Sequence, residues 1–420
     1  MSEMSRELSI DMLSSLPDAA ICHILSFLKI KIIMRHKAKT LHTLRLGFIR
    51  CNEYQLETWV TTAMERNIRN LHIDLGIGRI AFLHQTHFTC KTMVDMRLDN
   101  AQGLPSTGNI FLPSLKKLHL SKVVFEDDEA LQQLLSGCPM LQELILNDVF
   151  GSREIHSYVN LSSSTIKRLE LSLERICRPK DLNYKILIDA PAVRCLRVGR
   201  CDLGCIVIPI DMTSLLEANI CFRQCCGWKF NNHNQSNLVE FFNHLHQIRC
   251  LKISCCCYMQ VVGSIEKFNN LTKLELQLGV EWQLLVEFLE VADNLQVLIV
   301  TGSCRCIGVH HNVEIRGSCM EPKQVPKCLP SSLKTIAIKQ PCFDEHELDL
   351  VCYLLRNSQV LERMEILPRK VISTSTWSGF LKNDLTEQFK ALQRIVLFER
   401  GSKACQLVSE YWTEQVNGGQ

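Results

Sequence analysis

Cysteine is the residue type in this sequence with the greatest capacity for chemistry, because a thiolate can bind a metal ion, form a disulfide or act as a nucleophile. The chain has 22 cysteines among 420 residues. A zinc site would need paired C-x-x-C knuckles, and no C-x-x-C pair occurs. We therefore expect reduced thiols that fill space in the core, Cys195 and Cys250 among them, or lie at the surface. The closest clusters are Cys201 with Cys205, Cys221 with Cys225 and Cys226, Cys255 with Cys256 and Cys257, and Cys304 with Cys306.

Motifs for catalysis are absent from the sequence. It contains no phosphate-binding G-x-x-x-x-G-K, no G-x-S-x-G nucleophile turn and no zinc-binding H-E-x-x-H. Gly76 and Gly78 lack the third glycine of a dinucleotide-binding turn, and the one adjacent histidine pair, His310 and His311, is expected in a loop. The sequence therefore predicts no catalytic, cofactor-binding or metal-binding residues, no cofactor and no enzyme activity of its own.

The elements that would position any functional side chain come from one phrase, apolar-x-x-apolar-x-apolar, which occurs fourteen times. Thirteen intervals between Leu41 and Leu392 cover 351 residues, and the mean period of 27 falls within the roughly 20–29 residues of a leucine-rich repeat. Single intervals range from 22 to 38 residues. The phrases occupy residues 41–46, 68–73, 93–98, 115–120, 141–146, 166–171, 193–198, 215–220, 248–253, 271–276, 295–300, 333–338, 361–366 and 392–397.

The phrase predicts a half-buried strand, because its last positions alternate between apolar and polar residues. Longer stretches between phrases have helical spacing, at 52–67, 126–135, 281–294 and 344–357. Strands that alternate with helices predict an α/β fold, a leucine-rich-repeat solenoid with a curved parallel sheet and with helices or irregular turns on the opposite face. Outward strand residues should then form an exposed row that includes Lys117, His119, Glu143, Arg168, Glu170 and Glu275.

Charge and hydropathy exclude several classes of function. The formal net charge of +3 is too small to indicate a nucleic-acid-binding protein, and aromatic residues do not alternate with basic clusters. No run approaches the 18 or so apolar residues of a membrane span. The first twelve residues mix charges and contain no apolar stretch of a signal peptide. We therefore expect a cytoplasmic or nuclear protein that contacts no membrane.

A segment without the repeated phrase precedes the first repeat. In the stretch DMLSSLPDAAICHILSFL, residues 11–28, Ser15 can cap a helix and Pro17 suits its first turn. Leu16, Ala20, Ile21, Ile24, Leu25 and Leu28 then recur at helical spacing. One interpretation is an internal cap that covers the first repeat. A second interpretation follows from the order of the residues, since LPD followed by an apolar helix ending in ILSFL resembles the start of a plant F-box.

The resemblance extends along the rest of the chain. LPSLKKLHL (112–120), LLSGCPMLQELIL (134–146), LSSSTIKRLEL (161–171) and IDAPAVRCLRV (188–198) are similar to successive repeats of plant F-box/FBD/LRR-repeat proteins. VPKCLPSSLKTIAI (325–338), LDLVCYLLRNSQVLERMEI (348–366) and ACQLV (404–408) resemble the FBD domain that closes many of them. The resemblance implies a partial F-box helix at 10–34, leucine-rich repeats at 35–321 and an FBD-like α/β closing domain at 322–410.

The resemblance also implies a function. Members of the family are substrate-recognition subunits of cullin–RING (SCF-type) ubiquitin ligases, in which the F-box binds a Skp-family adaptor and, through it, a cullin. The implied adaptor-binding residues are Leu16, Pro17, Ile21, Ile24, Leu25 and Leu28, and the repeats would bind an unknown protein substrate. The chain departs from the family after Leu28, where the basic stretch KIKIIMRHKAKT replaces the second half of the F-box. A repeat scaffold that no longer binds the adaptor, or binds it weakly, is therefore the alternative.

Overall fold

The computed structural model describes sixteen parts of the chain, and the structural statements below concern those parts. They are residues 40–47, 53–76, 88–104, 109–125, 129–149, 158–172, 185–199, 206–209, 211–222, 239–255, 265–278, 282–302, 322, 324–341, 343–368 and 388–409.

One parallel sheet of fourteen strands forms the centre of the fold. Neighbouring strands follow one another in chain order, and every pair is parallel. Parallel neighbours in sequential order require each connection to return across the same face, which is the arrangement of a solenoid. The strands are β1 (Thr43–Gly47), β2 (Asn70–Asp74), β3 (Asp95–Asp99), β5 (Lys117–Ser121), β7 (Glu143–Asn147), β9 (Arg168–Ser172), β11 (Cys195–Gly199), β13 (Glu217–Phe222), β14 (Cys250–Cys255), β15 (Lys273–Leu278), β16 (Val297–Gly302), β17 (Thr335–Lys339), β18 (Arg363–Leu367) and β19 (Gln406–Ser409).

The repeated phrase specifies these strands through its alternation. In β5, Leu118 and Leu120 are almost fully buried, whereas Lys117 and His119 lie on the other face. Leu118 lies in register with Met96 of β3 and Leu144 of β7, so each repeat buries the apolar face of its neighbour. The inward apolar residues of all fourteen strands belong to one continuous core or pack against it. Thirteen of the fourteen phrases form a strand of this sheet, which confirms the predicted α/β solenoid.

The fourteenth phrase, LQRIVL at 392–397, does not form a strand. Residues 388–396 are helical, with Leu392 and Ile395 buried and Leu397 84% exposed. Leu392 and Ile395 have the i, i+3 spacing that suits a helix as well as a repeat. In a strand Leu397 would be buried too, whereas here, just after the helix, it is exposed. The last strand is instead β19, which comes from the segment ACQLV further along the chain.

The opposite face carries both helices and short strands. The helices are α1 (Glu53–Glu65), α2 (Ala130–Ser136), α3 (Trp282–Glu290), α4 (Cys328–Ser331) and α5 (Glu345–Asn357), and residues 239–243 are also helical. Two small parallel sheets were not predicted, since only helices and irregular turns were expected there. One pairs β4 (Gln102–Leu104) with β6 (Val124–Phe125) and the other places β10 (Lys185–Asp189) between β8 (Tyr158–Ser162) and β12 (Ile206–Val207).

The last strands and α5 agree with the expectations for this part of the chain. Ile336 and Ile338 lie in β17, and Leu333 is buried just before it. Asp344 caps α5, because its carboxylate accepts a hydrogen bond of 2.9 Å from the backbone N–H of Glu347. The four residues predicted to face the core from this helix are all buried: Leu348, Val351, Leu354 and Leu355.

Backbone hydrogen bonds between neighbouring repeats fix the register of the sheet. Immediately before each strand of the main sheet from β2 to β18, one N–H donates to the carbonyl oxygen at the same position of the preceding repeat; Arg194 N–H, for instance, bonds Lys167 O at 2.8 Å. After several strands, a residue with positive φ donates to the last residue of the next strand, as Lys122 N–H does to Asn147 O. Equivalent positions of successive repeats therefore stand in straight rows across the sheet.

Two glycines at strand ends give a matched test of how closely the repeats pack. A Cβ added at Gly302 would overlap the backbone carbonyl oxygen of Gln340, which has a positive φ of 50° and belongs to the turn after β17. A Cβ at Gly47 would meet no atom within 4 Å. We expect Gly302→Ala to lower the free energy of unfolding by about 1–3 kcal/mol, as overpacking does. Gly47→Ala should leave that free energy unchanged or slightly higher. Urea denaturation of both variants measures the difference, and equal stabilities would contradict the close approach at Gly302.

Candidate functional site

The candidate site is the face of the fourteen-stranded sheet that points away from the core, called here the open face. Its central row contains the middle outward residue of each strand, and the pairing of the strands places these residues side by side. In order from β1 the central row is Arg45, His72, Arg97, His119, Ile145, Glu170, Arg197, Asn219, Lys252, Glu275, Ile299, Ala337, Glu365 and Val408.

The structure places all six residues of the predicted outward row on the open face. Lys117 and Arg168 are exposed, whereas His119, Glu143, Glu170 and Glu275 are half-buried by their neighbours. Because strands lie about 4.8 Å apart, these side chains are close enough to form a continuous surface. The structure therefore brings the predicted residues together on one face, although it does not make all of them fully exposed.

Ion pairs between neighbouring strands cover much of the open face. Lys117 Nζ lies 3.4 Å from Glu143 Oε2, Arg197 Nη1 lies 3.6 Å from Glu170 Oε2, and Lys252 Nζ lies 2.7 Å from Glu275 Oε1. Exposed pairs of this kind stabilise a fold by only about 0–1 kcal/mol each. Their charges are consequently available to a ligand that offers a better-placed counter-charge.

Two histidines contribute neutral groups to the central row. Burial lowers the pKa of His72, against the opposing effect of Asp95, whose carboxylate lies 3.7 Å away. Burial also lowers the pKa of His119, with a smaller contribution from Arg97. The amide Nδ2 of Asn147 lies 3.2 Å from His119 Nε2. Because an amide nitrogen can only donate, this contact suits a neutral imidazole that accepts through Nε2.

The open face changes character toward its C-terminal strands. Ile299 of β16 and Ala337 of β17 are in register, and their exposed fractions are only 9% and 4%. Neither belongs to the continuous core on the other side of the sheet. The face thus combines a charged and histidine-rich part, from β1 to β15, with an apolar part at β16 and β17.

Cysteines occupy two kinds of position. Cys138 and Cys328 are buried, and burial raises the pKa of each thiol to about 12, so neither is a reactive thiolate at neutral pH. Cys195 and Cys250 are not core filler, contrary to expectation. They are half-buried free thiols on the open face, in register with Glu217 between them, because they take outward positions of the phrase. Burial, and to a smaller extent Glu217, raises the pKa of Cys250.

Several sequence-based expectations concern residues outside the described parts of the chain. These include the adaptor-binding residues Leu16, Pro17, Ile21, Ile24, Leu25 and Leu28. Most members of the cysteine clusters and the pair His310 and His311 also lie outside. Within the sixteen described parts, no group of three or more His, Cys, Asp or Glu residues is arranged to hold a metal ion. In the same parts, no helix combines the length and the apolar character needed to cross a membrane.

Comparisons with known proteins agree with the repeats and with the C-terminal strands. The sequence model of the FBD domain matches residues 321–366, which include β17, α5 and most of β18. A leucine-rich-repeat model matches residues 114–139, from just before β5 to just after α2.

Full-length relatives come from Arabidopsis thaliana. F-box/FBD/LRR-repeat protein At4g00160 is 28% identical over 393 residues, which are 91% of this chain and 81% of that protein. F-box/FBD/LRR-repeat protein At1g78750 is 29% identical over 84% of this chain and 74% of its own length. A probable FBD-associated F-box protein, At1g32375, is 26% identical over 89% of this chain and 83% of its own length. Together with the fourteen-stranded parallel sheet, these matches show that the chain is similar to plant F-box/FBD/LRR-repeat proteins along most of its length.

Proposed function

We propose that this protein is a substrate-recognition subunit of a cullin–RING (SCF-type) ubiquitin ligase and that its open face binds a protein target. The observation that carries the proposal is the uninterrupted sheet of fourteen strands with one side-chain row in register along its whole length. Similarity to the F-box/FBD/LRR-repeat proteins along most of the chain supports the ligase part of the proposal. Catalysis of ubiquitin transfer would then belong to partner subunits, and the chain would act in the cytoplasm or nucleus.

The dimensions of the open face suit a protein partner. Thirteen steps of about 4.8 Å between strands give a face about 60 Å long. A stable protein–protein interface buries about 800 Å² on each partner, so a fraction of this face is sufficient. Ion-paired charges from β5 to β15 offer specificity through charge complementarity.

The adaptor would bind the segment before the repeats. Its apolar residues have the helical spacing of a helix-in-groove contact. The proposed contact residues lie in and between the LPD and ILSFL motifs and are Leu16, Pro17, Ile21, Ile24, Leu25 and Leu28. The division into 10–34, 35–321 and 322–410 remains part of this proposal. Weak adaptor binding is expected, because the second half of the F-box is replaced by a basic stretch that removes partner contacts.

A repeat scaffold without ligase activity is the second candidate, and one observation favours it. The sheet already begins at Thr43, so only a short basic stretch separates Leu28 from the first strand. The helix around Ile24 would then pack on the first repeat near Leu41 and serve as a cap. The two candidates differ in whether a Skp-family adaptor binds.

Adaptor binding by purified full-length protein tests the proposal. We expect a measurable affinity for a recombinant Skp-family adaptor, and Ile24→Asp should weaken it at least about tenfold, because a charge replaces an apolar contact. Ser26→Asp is the matched control, since Ser26 falls on the polar side of the same helical spacing. The measurement is calorimetric titration of each variant with the adaptor.

The outcomes separate the two candidates. Binding that is tight and insensitive to Ile24→Asp would reject this helix as the adaptor site. Absence of binding by the native chain would reject the ligase role and favour the scaffold. Loss of binding in both variants would mean that the Asp substitutions act through folding, which a thermal melt of each variant would detect.

A further inference from the structure

The side of the sheet formed by the N-terminal ends of the strands carries basic residues without matching acidic ones. The four residues before each of eight strands, β2, β3, β5, β7, β9, β11, β13 and β14, include seven basic and no acidic residues. The whole chain, by contrast, has 47 basic and 44 acidic residues. We call this group the basic edge, and it consists of Arg66, Arg69, Lys91, Lys116, Lys167, Arg194 and Arg249.

Backbone hydrogen bonds place most of the basic edge in a single row. The residue immediately before each strand donates its N–H to the equivalent residue of the preceding repeat. The resulting order is Arg69, Val94, Lys116, Gln142, Lys167, Arg194, Leu216 and Arg249. Five of these eight rungs are basic, and Lys167 and Arg194 occupy adjacent rungs. Lys91 lies beside the row, three residues before Val94 of the second rung.

The side chains of the row are exposed and available. Arg69, Lys116, Lys167, Arg194 and Arg249 are all exposed. In the next row, formed by the first residues of these strands on the open face, the acidic residues are Asp95, Glu143 and Glu217. Two of these already lie against other groups: Asp95 is 3.7 Å from His72, and Glu143 is 3.4 Å from Lys117.

Hydrogen-bonded hydroxyl residues lie beside the row on its other side. The hydroxyl of Thr92 donates to Ile68 O at 2.9 Å, and the hydroxyl of Ser114 donates to Lys91 O at 2.6 Å. Two large apolar side chains, Met140 and Leu216, are 49% and 40% exposed among the basic residues. The edge therefore offers a fixed line of cations with apolar contacts between them.

We propose that the basic edge binds an extended acidic segment of a partner protein, separately from the open face. From Lys116 to Arg249 the row covers five strand spacings, about 24 Å, which matches about seven residues of extended chain. Carboxylates on alternate residues of such a segment would lie about 6.6 Å apart, between the one-rung and two-rung spacings of the cations. Apolar residues between the carboxylates would contact Met140 and Leu216.

Two other polyanions fit the edge less well. Single-stranded nucleic acid is held by aromatic stacking as well as by charge, and the four residues before each of these eight strands include no Phe, Tyr or Trp. A membrane surface favours a broad basic patch with inserted apolar groups. The row is one residue wide beside the acidic residues of the open face, and the two apolar side chains near it, Met140 and Leu216, are only 49% and 40% exposed.

Binding of a synthetic peptide tests the proposal on the full chain. The probe is a fluorescein-labelled peptide of about ten residues in which Glu alternates with Ser and Leu, and its control has Gln in place of Glu. We expect the Glu peptide to bind, and Lys167→Glu/Arg194→Glu to weaken binding at least about tenfold, because attraction becomes repulsion at adjacent rungs. Affinity should also fall as salt rises from about 50 to about 300 mM.

A second double variant matches the change in net charge. Lys122 follows β5 at the other edge of the sheet and Lys185 begins β10 of the small outer sheet, and both are exposed. Lys122→Glu/Lys185→Glu should leave the affinity within about twofold of the native value, and thermal melts should show both double variants folded. The proposal is overturned by absence of peptide binding or by equal losses in the two double variants. It is also overturned if phosphatidylserine vesicles or an oligothymidine bind at the edge while the Glu peptide does not.

Discussion

Leu118→Asp should unfold the repeats around β5. Leu118 is 1% exposed and lies in register with Met96 and Leu144, so an aspartate there would be surrounded by apolar side chains on both neighbouring strands. The substitution removes a well-packed leucine and buries a carboxyl group without a partner. Each effect costs several kcal/mol, and we expect a loss of about 4 kcal/mol or more in the free energy of unfolding. Because each repeat is stabilised by its neighbours, the loss should spread beyond β5.

Lys117→Asp is the matched control, because it introduces the same residue one position earlier. Lys117 is exposed, and its ion pair with Glu143 at 3.4 Å contributes about 1 kcal/mol at most. Urea denaturation followed by circular dichroism measures both variants. Hydrogen exchange would show whether the amides of β3 and β7 lose protection together with those of β5. Similar destabilisation by the two substitutions would mean that the inward and outward faces of the strands are wrongly assigned.

The strands were predictable because two independent signals coincide in the repeated phrase. Alternation of apolar residues indicates a strand with one buried face, and recurrence at a mean of 27 residues indicates that such strands stack. The phrase at Leu392 shows the limit of this reasoning. Its apolar residues suit a helix as well, and the structure shows a helix at 388–396 that leaves Leu397 84% exposed. Three-dimensional packing, which the local pattern does not contain, decides such a case.

The small outer sheets were not predictable for a different reason. Strands such as β6 and β12 have two residues each, too few for a periodic signal. They pair because the solenoid stacks equivalent segments of neighbouring repeats at a spacing that suits a β-ladder. The pairing is thus a consequence of the main sheet, and no residue pattern within the segments specifies it.

The position of the open face was predictable, but the protonation and burial of its side chains were not. Alternation places Lys117 and Glu170 outward, yet it does not show that His119 is neutral or that Ile299 is nearly covered. Those properties depend on neighbours from other repeats. The basic edge, by contrast, had a visible signal, since five of its members occupy the second position of their phrases. That signal appears only when equivalent positions of the repeats are compared with one another, because no two members are adjacent in the chain.

Deleting all residues from 322 onward should convert the protein into an aggregating species. β16 now pairs with β17 along five register positions, from Val297 to Thr301. Side chains also tie the two repeats together: the Ser332 hydroxyl donates to Asp293 O at 2.9 Å, and the Cys328 thiol donates to Leu289 O at 3.6 Å. Deletion would leave β16 as an open edge with unpaired backbone groups, and such edges are templates for intermolecular pairing.

The deletion would also expose the apolar end of the core. Leu329, Leu333 and Ile336 are fully buried, and the residues of the last retained repeat that cover them would become accessible to water. Large exposed apolar patches lead to association. Deletion of residues 411–420 alone is the control, because it retains all fourteen strands. Size-exclusion chromatography with light scattering should show oligomers or loss of soluble protein for the long deletion and a monodisperse species for the short one. If the long deletion also remained a soluble monomer with native circular dichroism, the segment from 322 onward would not be the cap of the solenoid, and its role would have to be sought in ligand binding instead.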